Sequence, residues 1–303
     1  MKKLSIEIDK DSLSDIVTDG TPNIYKVVGL GKFGCGVADQ FKQYPEYKVF
    51  RISSDLSIKN SFYIQPEKNI EEYENNFDDM EANLFFKRFE KDEEVIFILQ
   101  GGDPVTGATL SILEKIKHRN VTVLYIKPDK DVSSVIQKRD DKIVYNVLQE
   151  YTRSGLLNKM FILEKSRVEE MIGDVPISEY EKSIHHFISY IPAMINYFEN
   201  AGSRLETKMA PLEISRLATY GLASLDKNID IRFLFPMQDE SSAHFYFGIP
   251  DEVLATDNKL MQKIKSQVKR FSKDGVDTGF SVHSTELDGV IVLCAFYSSK
   301  IQE

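Results

Sequence analysis

Residues 95–108 read Val95-Ile96-Phe97-Ile98-Leu99-Gln100-Gly101-Gly102-Asp103-Pro104-Val105-Thr106-Gly107-Ala108. The first five are apolar without polar alternation, as in a strand covered on both faces of its sheet. Two glycines end the run, and the chain then turns into a helix predicted to reach Lys117. A glycine turn between a buried strand and a helix lets backbone N–H groups approach an anion, which the positive end of the helix dipole favours.

A second unit of this kind lies upstream. Residues 25–28 are an apolar strand, followed by Gly29-Leu30-Gly31-Lys32-Phe33-Gly34-Cys35-Gly36. An amphipathic helix is predicted from about Val37 to Lys42, then a strand over 48–52 closed by Ser53-Ser54-Asp55. Strand, turn, helix and strand in this order indicate a parallel α/β layer. Alone, Gly29-x-Gly31-x-x-Gly34 leaves three readings open: a tight turn without ligand, a phosphate loop, or a Rossmann dinucleotide site with Asp55 on the ribose. The loop at 101–107 separates them. Two glycine loops opening helices in one sheet can hold one phosphate chain between them, whereas a Rossmann site needs only the first.

Outward from these loops, residues 66–94 are rich in Glu, Asp and Asn and read as loop plus a surface helix, with 90–94 a loop before the strand. Strands are predicted at 121–126 and 160–163, with a helix over 140–154 between them. Tyr180, Ile184, Phe187, Ile188, Ile191, Ile195 and Phe198 recur at helical spacing in one long helix over 178–200. Pro192 is expected to kink or break it. The pattern then changes to a helix over 212–223, strands at 229–235, 243–249, 278–284 and 289–298, and a basic helix over 259–271. The adjacent His185 and His186 face different sides of the long helix, which argues against a shared metal and for surface or interface packing.

Composition narrows the function classes. The chain has 303 residues, 42% hydrophobic and 28% charged, with a net charge of -9. An acidic chain is a poor general binder of nucleic acid or anionic membrane, so nucleic acid is expected only through an adaptor. Cys35 and Cys294 are the two cysteines, without metal-ligand spacing; no side-chain metal site, zinc or structural disulfide is expected, and a reducing, cytoplasmic setting fits. Charge interrupts the N-terminal residues too early for a signal peptide, and no apolar run is long enough to span a membrane.

Taken together, these motifs resemble the tubulin/FtsZ superfamily. Residues 26–41 align without gaps with the first phosphate loop of FtsZ, keeping Gly29, Gly31 and Gly34. Ser53-Ser54-Asp55 is similar to the Asn-Thr-Asp after the family's second strand, and 101–108 to its Gly-Gly-Gly-Thr-Gly-Thr-Gly-Ala signature. Residues 121–128 resemble the strand and proline turn that follow. Residues 161–167 resemble the strand and loop carrying the base-binding Asn, 178–200 the central helix, and 212–223 the catalytic loop and its helix. The tail from His244 to Ser298 has the length and order of the C-terminal domain.

The resemblance implies an α/β fold with a parallel-sheet nucleotide-binding domain over 23–176 behind an N-terminal arm, 1–22. A central helix over 177–202 and a smaller α+β domain over 203–303 follow. It implies Gly29, Gly31, Lys32, Gly34, Cys35, Gly36, Asp55, Gly101, Gly102, Thr106, Gly107 and Glu181 as nucleotide-binding positions and Glu213 as the catalytic acid. GTP or GDP with Mg²⁺ is the implied ligand, and head-to-tail self-association, or packing on a related partner, the implied assembly.

The departures fall on the chemistry. Asp103, Pro104 and Val105 replace Gly, Thr and Gly of the signature. A carboxylate repels a triphosphate, proline lacks an N–H, and valine adds bulk. Phe33 is larger than the family's residue, Gly36 replaces Asn, and the loop for the γ-phosphate has no glycine-rich counterpart between 63 and 78. Lys165 stands for the base-binding Asn, while Lys182 aligns with the guanine-contacting acid, for which Glu181 can substitute; Tyr180 is placed to stack on a base. Glu213 stands for the first catalytic acid and Arg216 replaces the second. The expectation is an assembly protein with weak or lost nucleotide binding; an active GTP-hydrolysing filament and a Rossmann oxidoreductase are the alternatives.

Overall fold

The computed structural model describes residues 25–87, 89, 94–207, 209–225, 231–272 and 275–303. The N-terminal arm, most of the acidic stretch 90–94 and the first residues of the 229–235 strand lie outside them. The described residues form two units, one of 25–189 with Ile301–Glu303 and one of Tyr190–Lys300.

In the first unit β1 (Tyr25–Leu30) leads into α1 (Gly31–Gln40) and β2 (Tyr47–Ser53), followed by the short β3 (Phe62–Tyr63). Helices α2 (Ile70–Asn75) and α3 (Asp79–Phe86) follow, started by Asn69 and Asp78, whose side chains accept first-turn N–H groups. Then come β4 (Glu94–Gln100), a 3₁₀ turn (Pro104–Ala108), α4 (Thr109–Ile116), β5 (Asn120–Lys127) and α5 (Val135–Arg153). A capping box of Ser134 and Gln137 begins α5. β6 (Lys159–Glu164), α6 (Lys165–Ile172) and α7 (Ile177–Asn200), the last of which belongs to this unit as far as Ser189, complete the series. The strands pair in the order β3-β2-β1-β4-β5-β6, every pair parallel. Both β1 and β4 are inner strands, which accounts for the unbroken apolar run over 95–99 and for the burial of every residue of β1, Lys26 included. Their C-terminal ends carry the two glycine loops side by side.

Helix α1 begins at Gly31, six residues before its predicted start, so Gly34 and Gly36 lie on the helix rather than in a turn before it. The acidic region contains two short helices instead of one. Pro192 does not break α7.

The second unit holds β7 (Leu205–Thr207), β8 (Leu217–Ala223), β9 (Arg232–Phe233), β10 (Glu240–Pro250), α8 (Asp251–Thr256), α9 (Leu260–Phe271), β11 (Asp277–Thr285) and β12 (Ile291–Ser298). Its strand order is β8-β12-β10-β11-β7, with β10 and β11 parallel and the other neighbours antiparallel. Phe245, Phe247, Ile249 and Phe280 pack with Leu260 and Ile264 of α9, leaving Lys263, Lys265, Lys269 and Arg270 on its outer face.

The helix predicted over 212–223 is overturned: residues 212–216 form a turn and Leu217–Ala223 is β8. Six of its seven residues are buried, as befits a strand covered on both faces, whereas a helix of this composition would turn some of them to water. Gly221 lies so close to β12 that a Cβ would stand 2.8 Å from Cys294 Sγ. Glu213 is therefore an exposed turn residue.

Candidate functional site

The two glycine loops meet. Gly31 has φ +73°, and a Cβ there would lie 2.9 Å from both Asp103 Oδ2 and Val105 Cγ1. This left-handed conformation is open to glycine and strained for other residues. Gly34 lets α1 settle on β4, with its Cβ position 2.5 Å from Ile98 O. On the other lip Gly102 (φ +78°) passes beside Gln137 of α5, and Gly107 packs on Ile70, at the start of α2. Gly29 packs on Gly34 in the same way.

Asp103 governs the second loop. Its Oδ1 accepts the Val105 N–H at 3.1 Å, while its carbonyl accepts both the N–H (2.9 Å) and the hydroxyl (2.6 Å) of Thr106. Pro104 has no N–H. The amides that open this turn thus already have an anionic or carbonyl acceptor inside the chain, and the Thr106 hydroxyl is committed as well. Burial pushes the Asp103 carboxyl above its ordinary value, opposed by the Val105 hydrogen bond.

The first loop is less occupied. No side chain among the described residues caps α1, and its first turn carries no acid, so its N-terminus keeps a positive end. Lys32 beside it is exposed and acts electrostatically on Asp55, whose carboxylate accepts the Ser57 N–H at 2.8 Å. That hydrogen bond, more than Lys32, holds the Asp55 carboxyl below its usual range. The Cys35 thiol points into the sheet, 3.3 Å from Gly29 O and 3.5 Å from Ile52 O, and burial pushes it up to about 12. Cys35 and Gly36 lie beyond the first turn of α1, so their amides serve the helix. Neither the Cys35 side chain nor the Thr106 hydroxyl is presented to a ligand.

Next to this loop a cluster of side chains assembles at the predicted base position. The Phe33 ring meets His185 edge-on at 4.7 Å. Lys165 Nζ lies 6.0 Å from the Phe33 ring centre, 5.5 Å from that of Tyr180 and 3.8 Å from Glu169 Oε1. The Tyr180 hydroxyl donates to Glu169. His185 is buried against Gly36, where a Cβ would come within 2.3 Å of its Cε1, and its Nε2 finds no hydrogen-bond partner among the described residues. Burial lowers its basicity, partly offset by the charge of Glu181. Of the surface or interface packing expected of His185, the surface half is thus corrected: the ring packs inside the first unit.

Sequence reasoning also missed a buried polar group behind Gly101. Tyr125 donates to Asp141 Oδ1 at 2.7 Å, Lys127 Nζ lies 3.7 Å from Asp141 Oδ2, and the same ammonium sits 3.4 Å above the Tyr145 ring. A Cβ on Gly101 would collide with Asp141 Oδ1 at 2.0 Å. Burial raises the Asp141 carboxyl and lowers Lys127, each opposed by the other's charge. Glu213 belongs to the second unit, in a turn whose neighbours Leu212 and Ile214 are 58% and 65% exposed.

No family model matches the chain, and no curated protein matches it in sequence. Solved structures do. An FtsZ dimer of M. jannaschii superposes with a TM-score of 0.69 at 13% identity, over 92% of this chain and 89% of that one. A GTPγS-form protofilament of Bacillus thuringiensis TubZ gives 0.68 at 14%, over 93% and 88%. A GTPγS-bound protofilament of CetZ2 from Haloferax volcanii gives 0.67 at 10%, over 90% and 92%. At such identities the likeness is one of backbone, and the chain has the tubulin/FtsZ-like fold.

Proposed function

We propose that the chain is a self-assembling, tubulin/FtsZ-like filament subunit of the cytoplasm whose nucleotide pocket is largely occupied by its own side chains. The observation that carries this reading is Asp103: its carboxylate accepts the Val105 amide and abuts Gly31, at the junction of the two loops. A carboxylate held there repels a triphosphate, and Pro104 offers no amide to replace the lost contact. Phe33, Lys165, Tyr180 and His185 fill the neighbouring base position in the same manner. The residues of the second loop do not fit a triphosphate, so no hydrolytic step is assigned to Glu213. Residual affinity for GTP or GDP, with or without Mg²⁺, would reside at the α1 N-terminus with Lys32.

Self-association is supported by exposed apolar side chains on each unit: Val132, Val135 and Ile136 on the first, Leu212 and Ile214 on the second. Large apolar groups kept in water favour protein contact. A contact joining unlike patches on successive copies generates a filament where rotation does not close the ring. The similar structures named above are a dimer and protofilaments. Any nucleic acid would be reached through an adaptor, given the net charge of -9.

Light scattering and sedimentation of the purified chain test this. Assembly is expected to rise with protein concentration without added nucleotide, and Val135→Glu and Ile214→Glu are each expected to suppress it. A chain monomeric at every concentration would refute assembly. Assembly that requires GTP would refute the filled pocket.

A further inference from the structure

We propose that an open groove beside β3 is a docking site for an extended, lysine- or arginine-rich segment of a partner protein, taken up as an added strand. The cavity has a volume of about 810 Å³ and runs from Asn60 to Gln65 on one side and from Asn76 to Phe85 on the other. It is built from the first unit alone.

Three features define the occupant. First, among the described residues β3 is the outermost strand of the first unit's sheet, paired only with β2 through Ile52–Phe62 and Ser53–Tyr63. The Ile64 N–H donates to Ser53 O, so alternation along the strand turns the backbone N–H and C=O of Tyr63 away from β2. An open edge of this kind accepts another strand through main-chain hydrogen bonds. Second, the groove has apolar walls: Phe62 stacks on Phe85 at 5.0 Å and 29°, and Leu84 is 59% exposed. Alternate side chains of an added strand would meet these groups. Third, the rim is acidic. Residues 67–81 contain seven acidic residues and one lysine, and Asp78 and Glu81 themselves line the groove.

Charge selects among occupants. Two copies of this rim facing each other repel, which disfavours edge-to-edge pairing of the chain with itself. A basic segment gains attraction to the rim and cation–π contact with the aromatic walls. An anionic membrane or nucleic acid is excluded by the same charges.

The test is fluorescence anisotropy of the full chain with a labelled eight-residue peptide of alternating lysine and valine, beside its glutamate–valine counterpart. The basic peptide is expected to bind saturably and the acidic one not. Raising salt from about 50 to about 500 mM is expected to weaken binding about tenfold. Glu81→Lys and Leu84→Glu, both at exposed positions, are expected to weaken it by a similar factor while circular dichroism stays unchanged. Hydrogen exchange on the complex is expected to protect residues 61–65. Equal binding of both peptides, protection elsewhere, or retained affinity in both variants would overturn the proposal. Protection of the groove on concentrating the chain alone would assign it to a second copy and overturn it equally.

Discussion

The Asp103 carboxylate stands where a side chain on Gly31 would have to go, with a Cβ on that glycine 2.9 Å from Asp103 Oδ2. One contact thereby links the loop after β1 to the loop after β4 and fixes the space between them. Asp103 Oδ1 at the same time accepts the Val105 N–H, so the carboxylate is held at that oxygen by its own chain.

Replacing Asp103-Pro104-Val105 by Gly-Thr-Gly removes the charge, restores an amide and reopens the volume beside Gly31. Affinity for a fluorescent GTP analogue is expected to rise about tenfold or more, equivalent to about 1.4 kcal/mol. Asp103→Asn, which keeps an oxygen for the Val105 N–H but loses the charge, is expected to recover only part of this. Unchanged affinity in both variants would place the block at Phe33 and Lys165 instead.

Gly31→Ala is expected to destabilise the fold by roughly 1–2 kcal/mol, because an L-residue at positive φ is strained. Contact with Asp103 Oδ2 and Val105 Cγ1 adds to that cost. In an Asp103→Ala background the carboxylate clash disappears while the backbone strain stays, so the penalty is expected to shrink but not vanish. Urea unfolding of the four proteins reads this directly. Equal penalties in both backgrounds would mean that the Asp103 carboxylate does not crowd Gly31.

The parallel layer was legible because β1 and β4 are inner strands, and burial on both faces leaves only apolar residues in 95–99. The pairing of the two glycine loops followed from the strand–turn–helix order around each. Other features depended on distant neighbours. Residues 217–223 are short, apolar and contain both helix and strand formers, so their pairing with β12 decides the outcome. Asp103 was legible as a charge in the wrong place. That its carboxylate turns back onto Val105 is a matter of rotamer, and no spacing rule shows it. His185 and the Tyr125–Lys127–Asp141 group are buried polar residues, which read in sequence like surface ones. The groove beside β3 needed the knowledge that this two-residue strand lies at the edge.

In the second unit His244 and His283 flank Ser281, with Nε2–Oγ distances of 3.3 and 2.8 Å. Burial, then the neighbouring His283, lowers the His244 pKa from 6.5 to about 4, with Glu206 opposing. Its folded pKa lies below its unfolded one, so the unfolded chain takes up the proton first as pH falls. Stability from this group is therefore intact above pH 6.5 and declines towards pH 4. The decline is about 2 kcal/mol between pH 6.5 and 5. His283 is lowered too, chiefly by burial, and shifts stability in the same direction. Melting temperature is expected to fall more between pH 7 and 5 for the natural chain than for His244→Gln. Parallel pH profiles would refute the assignment.

His185 and Gly36 offer a second test of packing, at the predicted base position. A Cβ on Gly36 would meet the imidazole at 2.3 Å, so Gly36→Ala is expected to overpack the site and cost roughly 1–3 kcal/mol. His185→Ala opens a void but also removes the Nε2 that lacks a partner among the described residues, so its own cost is expected to be smaller than for an apolar ring of equal size. In the double variant the new methyl enters the space the ring has left. The two changes together are therefore expected to cost less than their sum, with a coupling of roughly 1 kcal/mol or more. Chemical denaturation of the four proteins measures that coupling. Strict additivity would show that the imidazole leaves Gly36 freely, and with it that the base position is not held closed by α7.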